Sequence, residues 1–252
     1  MVPDEQFLTV CQVLKMIQNA MDQKIPFSLV RVGDGENLIL AQESVMPIKE
    51  VLKKKWAKKA NRGEKGVYLP NLTLRNQMVE AIKKADVVGI PFLTNDPIKA
   101  EHNIKRPLTE AAFDYYSIHP RHVCHTFVNR VLAQKREFWN LLKGKRVLLV
   151  GGWAEQVRKI LMLEPYGLDN ILTIPFFHNK EMETTIHNIS KLSNQFDIAL
   201  VSCGVNAVVL SQHIAEKTGK VAIDFGKNLM FIVQQKAGLE HSSRDAHEGL
   251  IP

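Results

Sequence analysis

The stretch SLVRVGDGENLIL, residues 28–40, decides how the chain is read. Its first half is apolar, as a buried strand over 27–32 would be, and its second half opens a helical pattern at Glu36. Between them Gly33 and Gly35 bracket Asp34. Residues two apart on an extended chain point to the same side, whereas on a helix they diverge by roughly 200°. An extended Asp34 would therefore aim its carboxylate at the same point as Glu36.

Working outward, strand and helix patterns alternate along the chain. An amphipathic helix over about 5–23 precedes the first strand, and a mostly helical stretch follows it to Lys84. Further strands are expected at 86–90, 122–126, 147–150, 170–174, 197–201 and 221–224. Helices are expected near 108–116, from about 127 through Leu142, at 153–163, 184–192 and 205–217, and after the last strand. Such repeats predict an α/β protein: a doubly wound, mainly parallel, Rossmann-like sheet with helices on both faces. The expected organisation is one domain over 1–252, with halves 1–143 (metal and acceptor side) and 144–236 (nucleotide side) and a polar tail at 237–252.

Composition narrows the function. A chain of 252 residues, 45% of them hydrophobic, can bury a full core. No apolar run approaches the ~20 residues of a membrane helix, and the N-terminus does not resemble a secretory signal, so a cytoplasmic protein is expected. Cys11, Cys124 and Cys203 are odd in number, widely spaced and set among apolar residues, which suits reduced thiols. The formal charge of +7 favours acidic partners, and much of it lies in 49–62. Read as one helix, that segment sets Val51, Leu52 and Trp56 opposite a basic face, either solvated or in peripheral contact with an anionic membrane at its inner face. Nucleic acid is not expected, because no zinc knuckle, RNA-recognition signature or aromatic stacking platform is present.

In open parallel sheets ligands bind beyond the C-terminal strand ends. The turns to inspect are Gly33 to Glu36, Gly151-Gly152-Trp153 and Ser202-Cys203-Gly204. Glycines there let a backbone approach phosphate. The full dinucleotide fingerprint, the phosphate-binding loop of nucleotide hydrolases and the hydrolase nucleophile elbow are all absent. Cys203 precedes a helix, where a thiolate would be favoured, but a small residue filling a tight turn explains it as well. Asp34 and Glu36 have two readings: a capped helix start, or a site for a hard divalent cation with positions open to phosphate oxygens.

The segment 27–36 resembles the signature of the GT-D fold glycosyltransferases, a bacterial family whose sugar-nucleotide site carries a D-x-E motif. The likeness extends to 125–129, 147–151, 199–204 and 221–226, which in that order span most of the chain. The resemblance implies transfer of a hexose from a nucleotide diphosphate sugar, expected to be a UDP-sugar, to a glycan or glycoconjugate acceptor. Asp34 and Glu36 would be the D-x-E pair, catalytic and metal-ligating, serving the donor diphosphate and a Mn2+ or Mg2+ ion. This sequence departs from the family's D-x-G-H near the end with Asp224-Phe225-Gly226-Lys227. A protonated lysine offers no lone pair to a cation but can neutralise phosphate directly, which puts metal dependence in question.

Other expected substrate contacts are Arg31, Gly33, Gly35, Thr126, Asn129, Gly151, Gly152, Cys203, Gly204, Asp224 and Lys227. Glu155, Asp224 and His125 join Asp34 and Glu36 as general-base candidates, although a buried, hydrogen-bonded role suits His125 better. Asn95-Asp96-Pro97 and His102-Asn103 lie where an acceptor loop, or a plain surface loop, would belong. The alternative to an enzyme is a non-catalytic nucleotide- or glycan-binding module on the same fold. Sugar, acceptor, stereochemical course and a homodimeric state are left open.

Overall fold

The computed structural model of the chain describes residues 2–238. Seven strands, β1 (Phe27–Arg31), β2 (Val87–Ile90), β3 (Val123–His125), β4 (Arg146–Val150), β5 (Asn170–Ile174), β6 (Ile198–Val201) and β7 (Val221–Asp224), form one sheet. Their order is β3-β2-β1-β7-β6-β4-β5, and every pairing is parallel. The first half of the chain builds outward from β1 to one edge and the second half fills the other side. The chain's two halves therefore meet at β1 and β7, and the loops leaving those strands emerge side by side. The sheet runs unbroken across the turn at 143–145.

Side-chain alternation along the strands explains why both faces are covered. Leu29, Val147, Leu149 and Leu200 face one apolar layer, made with α1 (Val10–Gln23), α7 (Val128–Gln134), α8 (Arg136–Leu142), α9 (Ala154–Leu161) and α12 (Asn228–Lys236). Val30, Leu148, Val150 and Val201 face the other, made with α2 (Asp34–Leu40), α3 (Ile48–Lys53), α4 (Lys55–Ala60), α5 (Leu72–Lys84), α6 (Arg106–Tyr116), α10 (Met182–Lys191) and α11 (Ala207–Thr218). Each buried Val, Leu or Ile contributes about 1.5–3 kcal/mol relative to exposure, so strands buried on both faces are continuous apolar runs. At one edge, β5 alone among the strands contains no fully buried residue. At the other, β3 is covered by Leu8, whose N–H donates to the Val123 carbonyl at 2.7 Å.

Three expected helices differ. The opening helix starts at Val10, not near Glu5, because Thr9 and Gln12 form a reciprocal capping box there. The expected 49–62 helix is two helices, α3 and α4, broken at Lys54, whose ψ of 142° is extended. The helix expected through Leu142 is likewise broken, at Lys135 with ψ 128°. Breaks of this kind set neighbouring segments at angles that a single periodicity cannot show. The expected polar tail lies outside the described residues from 239 onward.

Candidate functional site

A cleft of about 950 Å³ opens over the C-terminal ends of the central strands. Eight Lys and Arg residues border it, against four carboxylates. Of the residues expected from sequence, it gathers Arg31, Gly33, Asp34, Gly35, Glu36, Thr126, Asn129, Gly152, Cys203, Gly204 and Lys227 at its wall. Gly151 and Asp224 are not part of that wall.

The turn after β1 does not hold Asp34 extended. Gly33 is the extended N-cap and Asp34 is the first residue of α2. The shared aim expected of an extended pair is therefore not realised, although both carboxylates border the cleft. Glu36 Oε2 instead accepts from the Gly33 N–H at 2.9 Å, satisfying one of the otherwise unpaired N–H groups at the start of the chain's turn into helix. Its carboxyl is pushed up to about 7, chiefly by burial and then by the neighbouring Asp224 charge, with Arg31 opposing. Gly35 has a different reason from the spacing of two acids. A Cβ there would lie 2.6 Å from Cε2 and Nε1 of Trp56, so the glycine is the seat of an indole that α4 lays against α2.

Beneath the cleft Arg31 joins three segments. Its guanidinium donates to Asp224 Oδ1 at 2.8 Å, to the Asp224 carbonyl at 3.1 Å and to the Thr126 carbonyl at 2.9 Å. Asp224 is fully buried and its pKa is raised by that burial, with Arg31 pulling the other way. Its role is thus to hold Arg31 and, through Oδ1, the Gly226 N–H at 3.0 Å. Gly226, at φ +59°, cannot carry a side chain, since a Cβ would meet Arg31 Nη2 and Asn129 Nδ2 at 2.5 Å. That turn delivers Lys227 into the cleft.

Gly151 is likewise explained by packing, its Cβ position lying 2.6 Å from the Ser202 carbonyl at φ +145°. Cys203 is buried, and burial raises its thiol well above the usual range, so the small-residue reading holds over the thiolate one. Cys124 is also buried, whereas Cys11 is exposed on α1 despite its apolar sequence neighbours. His125 is buried away from the cleft wall: Nε2 meets Asp96 Oδ2 at 2.9 Å, and Nδ1 accepts from the Phe127 N–H at 3.1 Å. Burial lowers its pKa, and the ring ties the 91–98 loop to β3. Glu155 is engaged by Arg158 and Thr173 outside the cleft wall. Neither residue borders the cleft. Of the irregular stretch after β2, Pro97 to Glu101 and Ile104 do line the cleft.

Sequence reasoning missed several wall residues. Lys54, Lys55 and Lys59, read as part of a basic helix face, and Trp56, read on the apolar face opposite, all border the cleft, and the chain breaks at Lys54 between α3 and α4. Lys65 arrives on a loop, and Arg130 from α7 lies 3.7 Å from the centre of the Phe127 ring. Trp153 and Phe177 are exposed aromatic rings at the rim, 42% and 65% accessible. The glycine after β4 was one signal: a Cβ on Gly152 would come within 3.0 Å of the Phe177 ring.

The donor set fits a resident divalent cation poorly. Among the described residues no group of three or more His, Cys, Asp or Glu could hold a metal. Glu36 already caps Gly33, and Arg31, Arg130 and Lys227 border the same cleft as the two acids.

These features define a doubly wound α/β protein with an anion-attracting cleft where the two halves of its sheet meet. The chain belongs to the GT-D fold-like domain family, whose model matches residues 8–232. Two structures of domain of unknown function 1792, one described as highly conserved with a distinct glycosyltransferase fold, align with TM-score 0.62 and 19% identity over 98% of this chain and 90% of theirs. A glycosyltransferase of the same domain type from Streptococcus sanguinis aligns with TM-score 0.56 and 17% identity, over 90% of this chain and 85% of that one. No curated protein matches the chain. Family and fold together support a glycosyltransferase. Among the described residues no helix is long and apolar enough to cross a membrane.

Proposed function

We propose that this protein transfers a hexose from a nucleotide diphosphate sugar, with a uridine nucleotide as the expected donor, to a hydroxyl of a glycan acceptor. The observation that carries the reading is the juxtaposition, in one cleft at the strand ends, of a cationic wall with Asp34 and Glu36. Transfer needs positive charge where the diphosphate leaves, a group to take the acceptor's proton, and shelter from water. The cleft's excess of lysine and arginine supports the first. Glu36, with a carboxyl poised at about 7, supports the second, since a base near the working pH is the effective one. The C1–O bond to the diphosphate breaks as the acceptor oxygen attacks C1, and the hydroxyl proton passes to a carboxylate. Asn129 supports sugar contact: it is buried at the cleft wall, and its Oδ1 has no protein partner. Trp153 and Phe177 offer flat faces on which a base or sugar ring can stack.

The test is titration of a panel of nucleotide sugars followed by transfer assays on glycan acceptors. Wild type should bind one donor well above the rest and turn it over. Glu36→Gln should keep donor binding within a few-fold and lose turnover by about a hundredfold or more. A protein that binds a donor yet never transfers or hydrolyses it would be the non-catalytic module instead. Failure to bind any nucleotide sugar would end both readings.

A further inference from the structure

We propose that Lys65, Arg130 and Lys227 form a cation clamp that neutralises a donor diphosphate directly, so that this cleft binds nucleoside diphosphates without a divalent cation. The inference rests on the donor reading above and names what holds the leaving group.

The three residues come from remote segments and border the same cleft. Each is delivered by a fixed backbone. The loop carrying Lys65 is pinned at both ends: Asn61 exchanges hydrogen bonds with the N–H and carbonyl of Leu69, at 2.7 and 3.1 Å, and the Gly66 carbonyl accepts from Asn206 Nδ2 at 3.0 Å and the Asn179 N–H at 2.9 Å. The Arg130 guanidinium lies 3.7 Å from the centre of the Phe127 ring and 5.6 Å from that of Phe231. Lys227 follows Gly226, whose N–H donates to Asp224 Oδ1 at 3.0 Å and which packs against Arg31 and Asn129 too closely to admit a Cβ.

Among the described residues, no carboxylate lies within ion-pair distance of Lys65 or Lys227. They are charges without an internal anion. They also repel one another: the Lys227 pKa is lowered first by desolvation between the cleft walls and then by Lys65 and Arg130, with Asp34 and Glu36 acting in the opposite direction. A multiply charged anion relieves that repulsion, and a diphosphate has the charge and the spread of oxygens to meet ammonium and guanidinium groups together. A divalent cation set on Asp34 and Glu36 would instead join an already crowded set of positive charges, with too few protein ligands to repay its dehydration.

The experiment is calorimetric titration of UDP, GDP and inorganic pyrophosphate into wild type, Lys65→Gln and Lys227→Gln, each in excess EDTA and in millimolar Mg2+ or Mn2+. The expected result is nucleoside diphosphate binding whose Kd in EDTA stays within about threefold of that in metal. Each lysine variant should weaken it by about tenfold or more, while melting at the wild-type temperature. Pyrophosphate should bind more weakly but show the same dependence on the lysines. Binding that EDTA abolishes overturns the clamp while leaving the donor reading intact, and so does metal-free binding that ignores both lysines. Absence of binding by every probe under every condition overturns the donor reading along with it.

Discussion

Replacing Glu36 by glutamine should stabilise the folded protein at neutral pH, and the gain follows from where the carboxyl sits. The substituted amide would keep the shape and an oxygen for the Gly33 N–H, which Glu36 now meets at 2.9 Å. What it removes is the cost of ionising the enclosed Glu36 carboxyl, whose pKa is displaced from 4.5 to about 7 by burial and by the Asp224 charge beside it. At about 1.4 kcal/mol per tenfold in the ionisation equilibrium, that displacement is worth roughly 3 kcal/mol. The sign is set by proton uptake. Between pH 4.5 and about 7 the unfolded chain has released this proton while the folded protein keeps it. Wild-type stability therefore falls as pH rises through that window and levels off above it. Glu36→Gln lacks this loss, so its advantage over wild type should grow by roughly 3 kcal/mol from about pH 4 to about pH 8. Urea unfolding of both proteins at half-unit pH steps measures the difference, because titrating groups that do not interact with Glu36 cancel, leaving Glu36 together with the Asp224 and Lys227 charges coupled to it. A difference that stays flat across the window would refute the claim that burial holds this carboxyl up. A stability gain joined to lost turnover would mark Glu36 as a group kept at the expense of the fold.

Two further substitutions test the scaffold. Gly35→Ala forces a methyl to within 2.6 Å of the Trp56 indole, and should cost about 1–3 kcal/mol while shifting tryptophan fluorescence; a neutral result would return the glycine to a mere spacer between acids. Asn37→Ala strips the donor that reaches the Ile104 and Lys105 carbonyls and Thr109 Oγ1 at 2.9–3.0 Å. It should cost about 1–3 kcal/mol and speed amide exchange at Ile104 and Lys105 in the loop beside the cleft. Unchanged exchange there would mean that the loop is held by other contacts.

Much of this protein was determined by its sequence alone. Apolar runs such as 147–150 and 198–201, each followed by a glycine-containing turn, leave little choice but strands buried on both faces, since a parallel sheet covered by helices hides such runs completely. The turns that end strands, among them the one after Arg31 that carries Glu36, could be singled out because parallel sheets put their ligands there, whereas Lys227 stood out only through the family resemblance. Tertiary structure decided what periodicity does not carry. The extended backbone at Lys54 turned an apparent solvent face into cleft wall, because a single extended residue re-aims everything after it. Three-dimensional packing also explained the glycines: Gly35 faces Trp56, Gly151 faces Ser202, and Gly226 faces Arg31 and Asn129, each a contact between segments distant in the chain. Burial set the chemistry, raising the Glu36 carboxyl to about 7, lowering the His125 pKa and raising the Cys203 thiol. A residue's type is written in the sequence, but its solvent and its neighbours exist only once the sheet has closed around it.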